Sequence, residues 1–176
     1  MSKHINGRSL KPLITSAQIT TRVSELGAEI TTDYRDKNPL LIGVLKGGFT
    51  FLADLVRHIA TDVEVDFIRT SSYKNGMTPG DLELITDTSI PVKNRHVLII
   101  EDLIDTGVTL SFIMEHLKSK EPASLKVCTL INKHERLKID IKPEYIGFDV
   151  KSGFIIGYGT DWGEKGRNYP DIYVVE

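Results

Sequence analysis

The chain has 176 residues, 22 of them Lys or Arg and 24 Asp or Glu, for a formal net charge of -2, and 40% are hydrophobic. That length fits one domain with a core able to stand without disulfide or metal support. The composition excludes disordered, collagen-like and fibrous chains, and the charge balance argues against a uniformly basic binder of nucleic acid or anionic membranes. Cys128 is the only cysteine, so no intrachain disulfide can form, and no Cys or His cluster has structural zinc spacing. No apolar stretch is long enough to span a bilayer and no apolar leader follows the N-terminus, so the cytoplasm is the expected compartment.

Taken in chain order, the first element is an amphipathic helix. From Thr15 to Asp33, Ile19, Val23, Leu26 and Ile30 recur at three- and four-residue steps, with Ser16 as the expected N-cap. Pro39 to Leu45 is a continuous apolar run of the kind that parallel strands buried on both faces require. Phe49 to Ile59 has helical period. Val63 to Ile68 alternates and leads into a polar loop, Arg69 to Gly80, after which Leu82 to Thr86 reads as the second arm of a hairpin. Val97 to Ile100 and Leu125 to Ile131 are again apolar runs, separated by a helical segment from Val108 to Lys118. From Tyr145 on, short apolar pieces alternate with glycines, and Ile172 to Val175 reads as a final strand. Strand, loop and helix in repetition predict an α/β fold with right-handed crossovers around a parallel sheet.

The chemistry concentrates in Val97-Leu-Ile-Ile-Glu-Asp-Leu-Ile-Asp-Thr-Gly-Val-Thr109. A buried strand runs into two acids, then a glycine-containing turn, then a helix. The N–H groups and positive dipole at a helix N-terminus suit a phosphate monoester, Gly107 permits close backbone approach, and Thr106 and Thr109 add hydroxyls. Glu101 and Asp102 suit the vicinal hydroxyls of a ribose or a hydrated divalent metal. The competing reading is that the two acids only end the strand while Asp105 or Thr106 caps the helix. A second glycine turn, Gly43-Val-Leu-Lys-Gly-Gly-Phe49, follows a predicted strand and could cradle another phosphate group.

The stretch VLIIEDLIDTGVTL resembles the phosphoribosyl pyrophosphate motif of type I phosphoribosyltransferases, and most of the chain is similar to one branch, the hypoxanthine-guanine phosphoribosyltransferases. The resemblance implies one domain over residues 1–176. Its fold would be α/β, a central twisted, mostly parallel sheet flanked by helices, with a small hood formed by the C-terminal segment and a lid loop. It implies that the Glu101, Asp102, Asp105, Thr106, Gly107, Val108 and Thr109 region binds the phosphoribosyl group and its 5-phosphate. Leu45, Lys46 and Gly47 would hold pyrophosphate with Arg167, with a cis peptide between Leu45 and Lys46, and Ser72 and Tyr73 would belong to the lid.

On the purine side it implies Lys133 as donor to the 6-oxo group, Phe154 stacked on the base, the Ile155 backbone at its edge, and Asp161 nearby. Trp162 is a second candidate cover for the base. Mg2+ would be held by Glu101 and Asp102 and, as a second ion, by Asp161. Asp105 is the implied catalytic residue, acting at purine N7 as phosphoribosyl passes from phosphoribosyl pyrophosphate to N9 of hypoxanthine or guanine. Two alternatives stay open: a xanthine-preferring enzyme, and an RNA-binding attenuation regulator on the same fold. The implied partners are small-molecule substrates and further copies of the chain, as homodimer or homotetramer, rather than membrane or nucleic acid.

Overall fold

A computed structural model of the chain describes residues 3–72 and 82–176. Strands β1 (Lys3–Ile5) and β2 (Arg8–Ile14) precede helix α1 (Ser16–Asp33). Next come β3 (Leu40–Leu45), α2 (Phe49–Leu55), β4 (Glu64–Ser72) and β5 (Leu82–Thr86). The chain continues through β6 (His96–Ile104), α3 (Val108–Lys118), β7 (Ser124–Lys133), β8 (Tyr145–Val150), β9 (Ile155–Ile156) and β10 (Ile172–Val175).

Helix α1 starts one residue earlier than its expected cap allows. Thr15, not Ser16, is the N-cap, because the reciprocal box needs Gln three residues on: Gln18 N donates to Thr15 Oγ1 at 3.3 Å, and Thr15 N donates to Gln18 Oε1 at 2.9 Å. The second helix is shorter than its periodicity suggests. It closes at Leu55 and gives way to a tight 3-10 turn at Val56–His58, against which Gly27 packs without room for a side chain.

The main sheet has the order β5-β4-β3-β6-β7-β8, parallel except for the hairpin strand β5 at one edge. Its unbroken apolar runs serve two cores at once. Leu41, Leu98, Ile100, Cys128 and Leu130 point toward α1 and α2, while Leu40, Ile42, Val97, Ile99 and Val127 point toward Leu110, Ile113 and Leu117 of α3. Each such fully buried Leu or Ile contributes about 1.5–3 kcal/mol of transfer free energy.

A second, antiparallel sheet, β1-β2-β10-β9, forms the hood. It is built from both ends of the sequence, not from the C-terminal segment alone. Between Ile172 and Tyr173 the register of β10 slips from Ile14 to Pro12 of β2, and this irregularity accommodates a proline in an inner strand. Ile14, Ile155 and Ile172 join the core on the α1 side, so the hood and main sheet share packing.

The carboxyl ends of β3, β6 and β7 emerge at one edge of the main sheet. After β3 the chain moves outward to β4 on one side, whereas β6, β7 and β8 fill the other, so the strand order reverses between β3 and β6. In open α/β sheets the crevice at such a switch point is where ligands bind.

Candidate active site at the sheet switch point

Two glycine turns flank that crevice. The Leu45–Lys46 peptide is cis, as expected. A side chain on Gly48 would crowd the carbonyls of Val44 and Ile100 at 2.8 and 3.0 Å, and one on Gly47 would coincide with the Asp102 carboxylate. The turn thus lies flat against β6. From above, Gly159 of the hood loop packs against the carbonyl of Gly47, again with no space for a Cβ.

Glu101 and Asp102 lie inside β6, which extends to Ile104, rather than beyond its end. Glu101 is 7% exposed. Burial pushes both carboxyls up, Glu101 furthest, and the charge of the neighbouring Asp102 carboxylate adds to the rise at Glu101.

The turn from Asp105 to Gly107 joins β6 to α3. Gly107 is the N-cap, at φ +78°, with no side chain to cap with, and the Thr106 hydroxyl accepts instead from the Val108 N–H at 3.4 Å. No acidic residue occupies the first turn of α3, leaving its positive end available to an anion. Gly107 is required twice, by its left-handed backbone and because a Cβ would come within 2.6 Å of the Ile139 carbonyl. The Thr106 carbonyl accepts from the N–H groups of Lys138 and Ile139 at 3.0 and 3.3 Å, which anchors the turn.

Asp105 sits between two cations. Its Oδ2 is 3.2 Å from Arg136 Nη1, and its Oδ1 is 3.0 Å from Lys133 Nζ. The latter contact is an ion pair off the angle of a hydrogen bond, so Asp105 Oδ1 is buried with no hydrogen-bond donor among the described residues. Lys133 itself is only 4% exposed, unlike an ordinary solvated lysine after a strand.

Two cavities open here. The first, about 320 Å3, is lined by Asp105, Lys133, Arg136, Phe154, Ile155 and Thr160, among others. The second, about 380 Å3, is lined by Leu45, Lys46, Gly47, Glu101, Thr109 and Arg167, with Arg69, Thr70 and Glu164. They adjoin, because Asp102, Leu103 and Asp161 face both. At the mouth of the first, the half-exposed Phe154 ring stands 5.5 Å from that of Trp162 at 58°. Trp162 packs into the hood cluster with Ile5, Leu10, Ile156 and Tyr173, so it braces Phe154 rather than lining the cavity.

Most of the expected site residues therefore converge on these two cavities. Thr106, Gly107 and Val108 line neither and form the turn at the foot of α3. Ser72 ends β4, and Tyr73 lies outside the described residues. Three charged residues were not expected at the site, of which Arg69 lines the second cavity. Arg136 contacts Asp105, and Glu164 contacts both Lys46, at 2.9 Å, and Arg167, at 3.1 Å. Arg136 lies three positions after Lys133, a local proximity that could have flagged it; Glu164 gave no such sign.

The acids do not make one metal cage. Among the described residues no three His, Cys, Asp or Glu side chains gather to hold an ion. Asp161 instead pairs with Arg167 at 2.7 Å and accepts the Glu164 N–H at 2.8 Å. This donor set fits Mg2+, which keeps several waters and commonly binds through one or two carboxylates plus substrate phosphates. No helix among the described residues is long and apolar enough to cross a membrane.

Residues 14–162 match the model of the phosphoribosyl transferase domain family, and the chain belongs to that family. Over its whole length it is similar to the hypoxanthine-guanine phosphoribosyltransferase of Aquifex aeolicus (strain VF5), at 42% identity over 176 residues, 99% of each chain. It is 45% identical to that of Bacillus subtilis (strain 168), over 94% of this chain and 93% of the relative. A crystal structure of a hypoxanthine phosphoribosyltransferase from Staphylococcus aureus superimposes with a TM-score of 0.90 at 39% identity, covering 94% of this chain and 91% of that one.

Proposed function

We propose that the chain is a purine salvage enzyme that transfers 5-phosphoribosyl from phosphoribosyl pyrophosphate to N9 of hypoxanthine or guanine, releasing IMP or GMP and pyrophosphate. The observation that carries this reading is the buried, donorless Asp105 Oδ1 beside Lys133, at a cavity adjoining a cation-bearing one. A purine stacked on Phe154 offers an N7–H donor to that oxygen while its 6-oxo group accepts from Lys133.

In the reaction the bond from the anomeric carbon to pyrophosphate oxygen breaks, the bond to N9 forms with inversion, and the purine proton passes to Asp105. A positioned acid-base group of this kind contributes about 10²–10⁴ in rate. The N-terminal end of α3 and Thr109 hold the 5-phosphate, Glu101 and Asp102 face the ribose hydroxyls, and Lys46 with Arg167 hold pyrophosphate. Glu101 and Asp102, and Asp161 for a second ion, would hold Mg2+, which would supply positive charge against the leaving pyrophosphate.

The same reading makes residues 1–176 one cytoplasmic domain. It also makes the active species a homodimer or homotetramer, with half-exposed Phe49 beside the pyrophosphate turn as one apolar contact. Steady-state assays with phosphoribosyl pyrophosphate, Mg2+ and each of hypoxanthine, guanine, xanthine and adenine test the function. Turnover of hypoxanthine and guanine but not adenine, lost in Asp105→Asn, is the expected result. Preference for xanthine would correct the substrate, and no turnover with any base would overturn the enzyme reading.

A further inference from the structure

The cations expected to hold pyrophosphate are already occupied by one side chain. Glu164 places Oε1 at 2.9 Å from Lys46 Nζ and Oε2 at 3.1 Å from Arg167 Nη2, so each oxygen serves one cation. Lys46 lies 118 residues away in the chain, at the end of β3, whereas Arg167 belongs to the hood loop. The carboxylate therefore ties the hood to the main sheet across the second cavity. Its presentation is built: Glu164 has a left-handed backbone, φ +68°, and its N–H is held by Asp161 Oδ2 at 2.8 Å.

We propose that Glu164 is an internal counter-anion, which neutralises Lys46 and Arg167 when the site is empty and must be displaced before the pyrophosphate group of a substrate can reach them. This rests on the reading of the second cavity as the pyrophosphate site. A carboxylate bridging two cations presents an oxygen to each, as two phosphate oxygens would, and both cannot hold the same donors at once. Glu164 is largely exposed, so it can swing into water at little steric cost. The exchange lowers affinity for every ligand that carries pyrophosphate. It also lets the carboxylate return as pyrophosphate leaves, so that Lys46 is not left unpaired, while Arg167 also has Asp161 at 2.7 Å. Glu164 is a positioning residue in this scheme, since it acts through Lys46 and Arg167 and touches no substrate.

The test is calorimetric titration of inorganic pyrophosphate, with excess Mg2+, into the wild-type protein and into Glu164→Gln and Glu164→Asp variants. Steady-state KM values for phosphoribosyl pyrophosphate and hypoxanthine accompany it. Two exposed ion pairs are modest interactions, so Glu164→Gln should bind pyrophosphate about threefold to thirtyfold more tightly. KM for phosphoribosyl pyrophosphate should fall in parallel, with KM for hypoxanthine unchanged. Glu164→Asp keeps the charge but is one methylene too short to span both cations, so it should tighten binding part of the way. A Glu164→Asp protein indistinguishable from wild type would reduce the effect to long-range charge and overturn the bridge. Unchanged or weaker binding in Glu164→Gln would overturn the inference while leaving the pyrophosphate site standing. Failure of pyrophosphate to bind any of the three proteins would overturn both.

Discussion

Asp102 occupies the space in which a side chain on Gly47 would begin. The contact joins the glycine turn after β3 to the acids of β6 with nothing between them, so the position of one fixes the other. Gly47→Ala should therefore push Asp102 aside, and a displacement of this order at the reacting groups costs about 10²-fold in kcat/KM. Because Asp102 faces both cavities, the loss should appear with either substrate varied. Kinetics together with a melting curve separate this from unfolding.

Lys133 is buried against Asp105, and it can donate to a 6-oxo group but cannot accept from a 6-amino group. Glutamine at this position can do both. Lys133→Gln should lower kcat/KM for hypoxanthine by about 10²-fold or more while adenine loses less, narrowing the discrimination between them. Parallel assays with the two bases read the ratio directly.

At the turn before α3, alanine in place of Gly107 would meet both a left-handed backbone and the Ile139 carbonyl. The backbone conformation alone costs about 1–3 kcal/mol. Gly107→Ala should shift the urea midpoint down accordingly and weaken binding of phosphoribosyl pyrophosphate more than binding of purine.

Away from the site, Asp87 ties the loop that follows β5 to the end of α3, through Lys120 at 2.5 Å and His116 at 3.0 Å. Burial alone would raise its carboxyl, but hydrogen bonds from Lys120, His116 and the Thr88 N–H outweigh it and hold the pKa down at about 2. A carboxylate held below its unfolded value, about 3.9, stabilises the fold above that value and loses its contribution as pH falls toward 2. The melting temperature of wild type should thus exceed that of Asp87→Asn near neutrality, and the gap should close between about pH 5 and pH 2. A gap independent of pH would rule out the charged form as its source.

The main sheet was readable because its strands are continuous apolar runs and α3 keeps a helical period from Val108 to Lys118, both local signals. The hood was only half readable. Arg8–Ile14 carries two cations and a proline, which argues against an inner strand, and its partner lies at the opposite end of the sequence. The Asp105 to Thr109 turn was legible from its own residues as a phosphate site, whereas Lys133 was legible only through family resemblance, since a lysine after a strand says nothing alone. Arg136 and Glu164 are ordinary loop charges until folding sets them beside Asp105 and Lys46, and no periodicity encodes that meeting.

The order in which the hood is assembled differs from the order in which it is synthesised. Strand β2 pairs with β10, and Ser9 meets Glu176 across 167 positions of sequence. During translation the strands of the parallel sheet, through Val150, emerge first and can pair, whereas β2 waits for a partner made only at the end. Ile155, which forms part of the first cavity's lining, lies in β9 and pairs with Val174 of β10. A nascent chain can therefore build the glycine turns of the main sheet before the first cavity is complete.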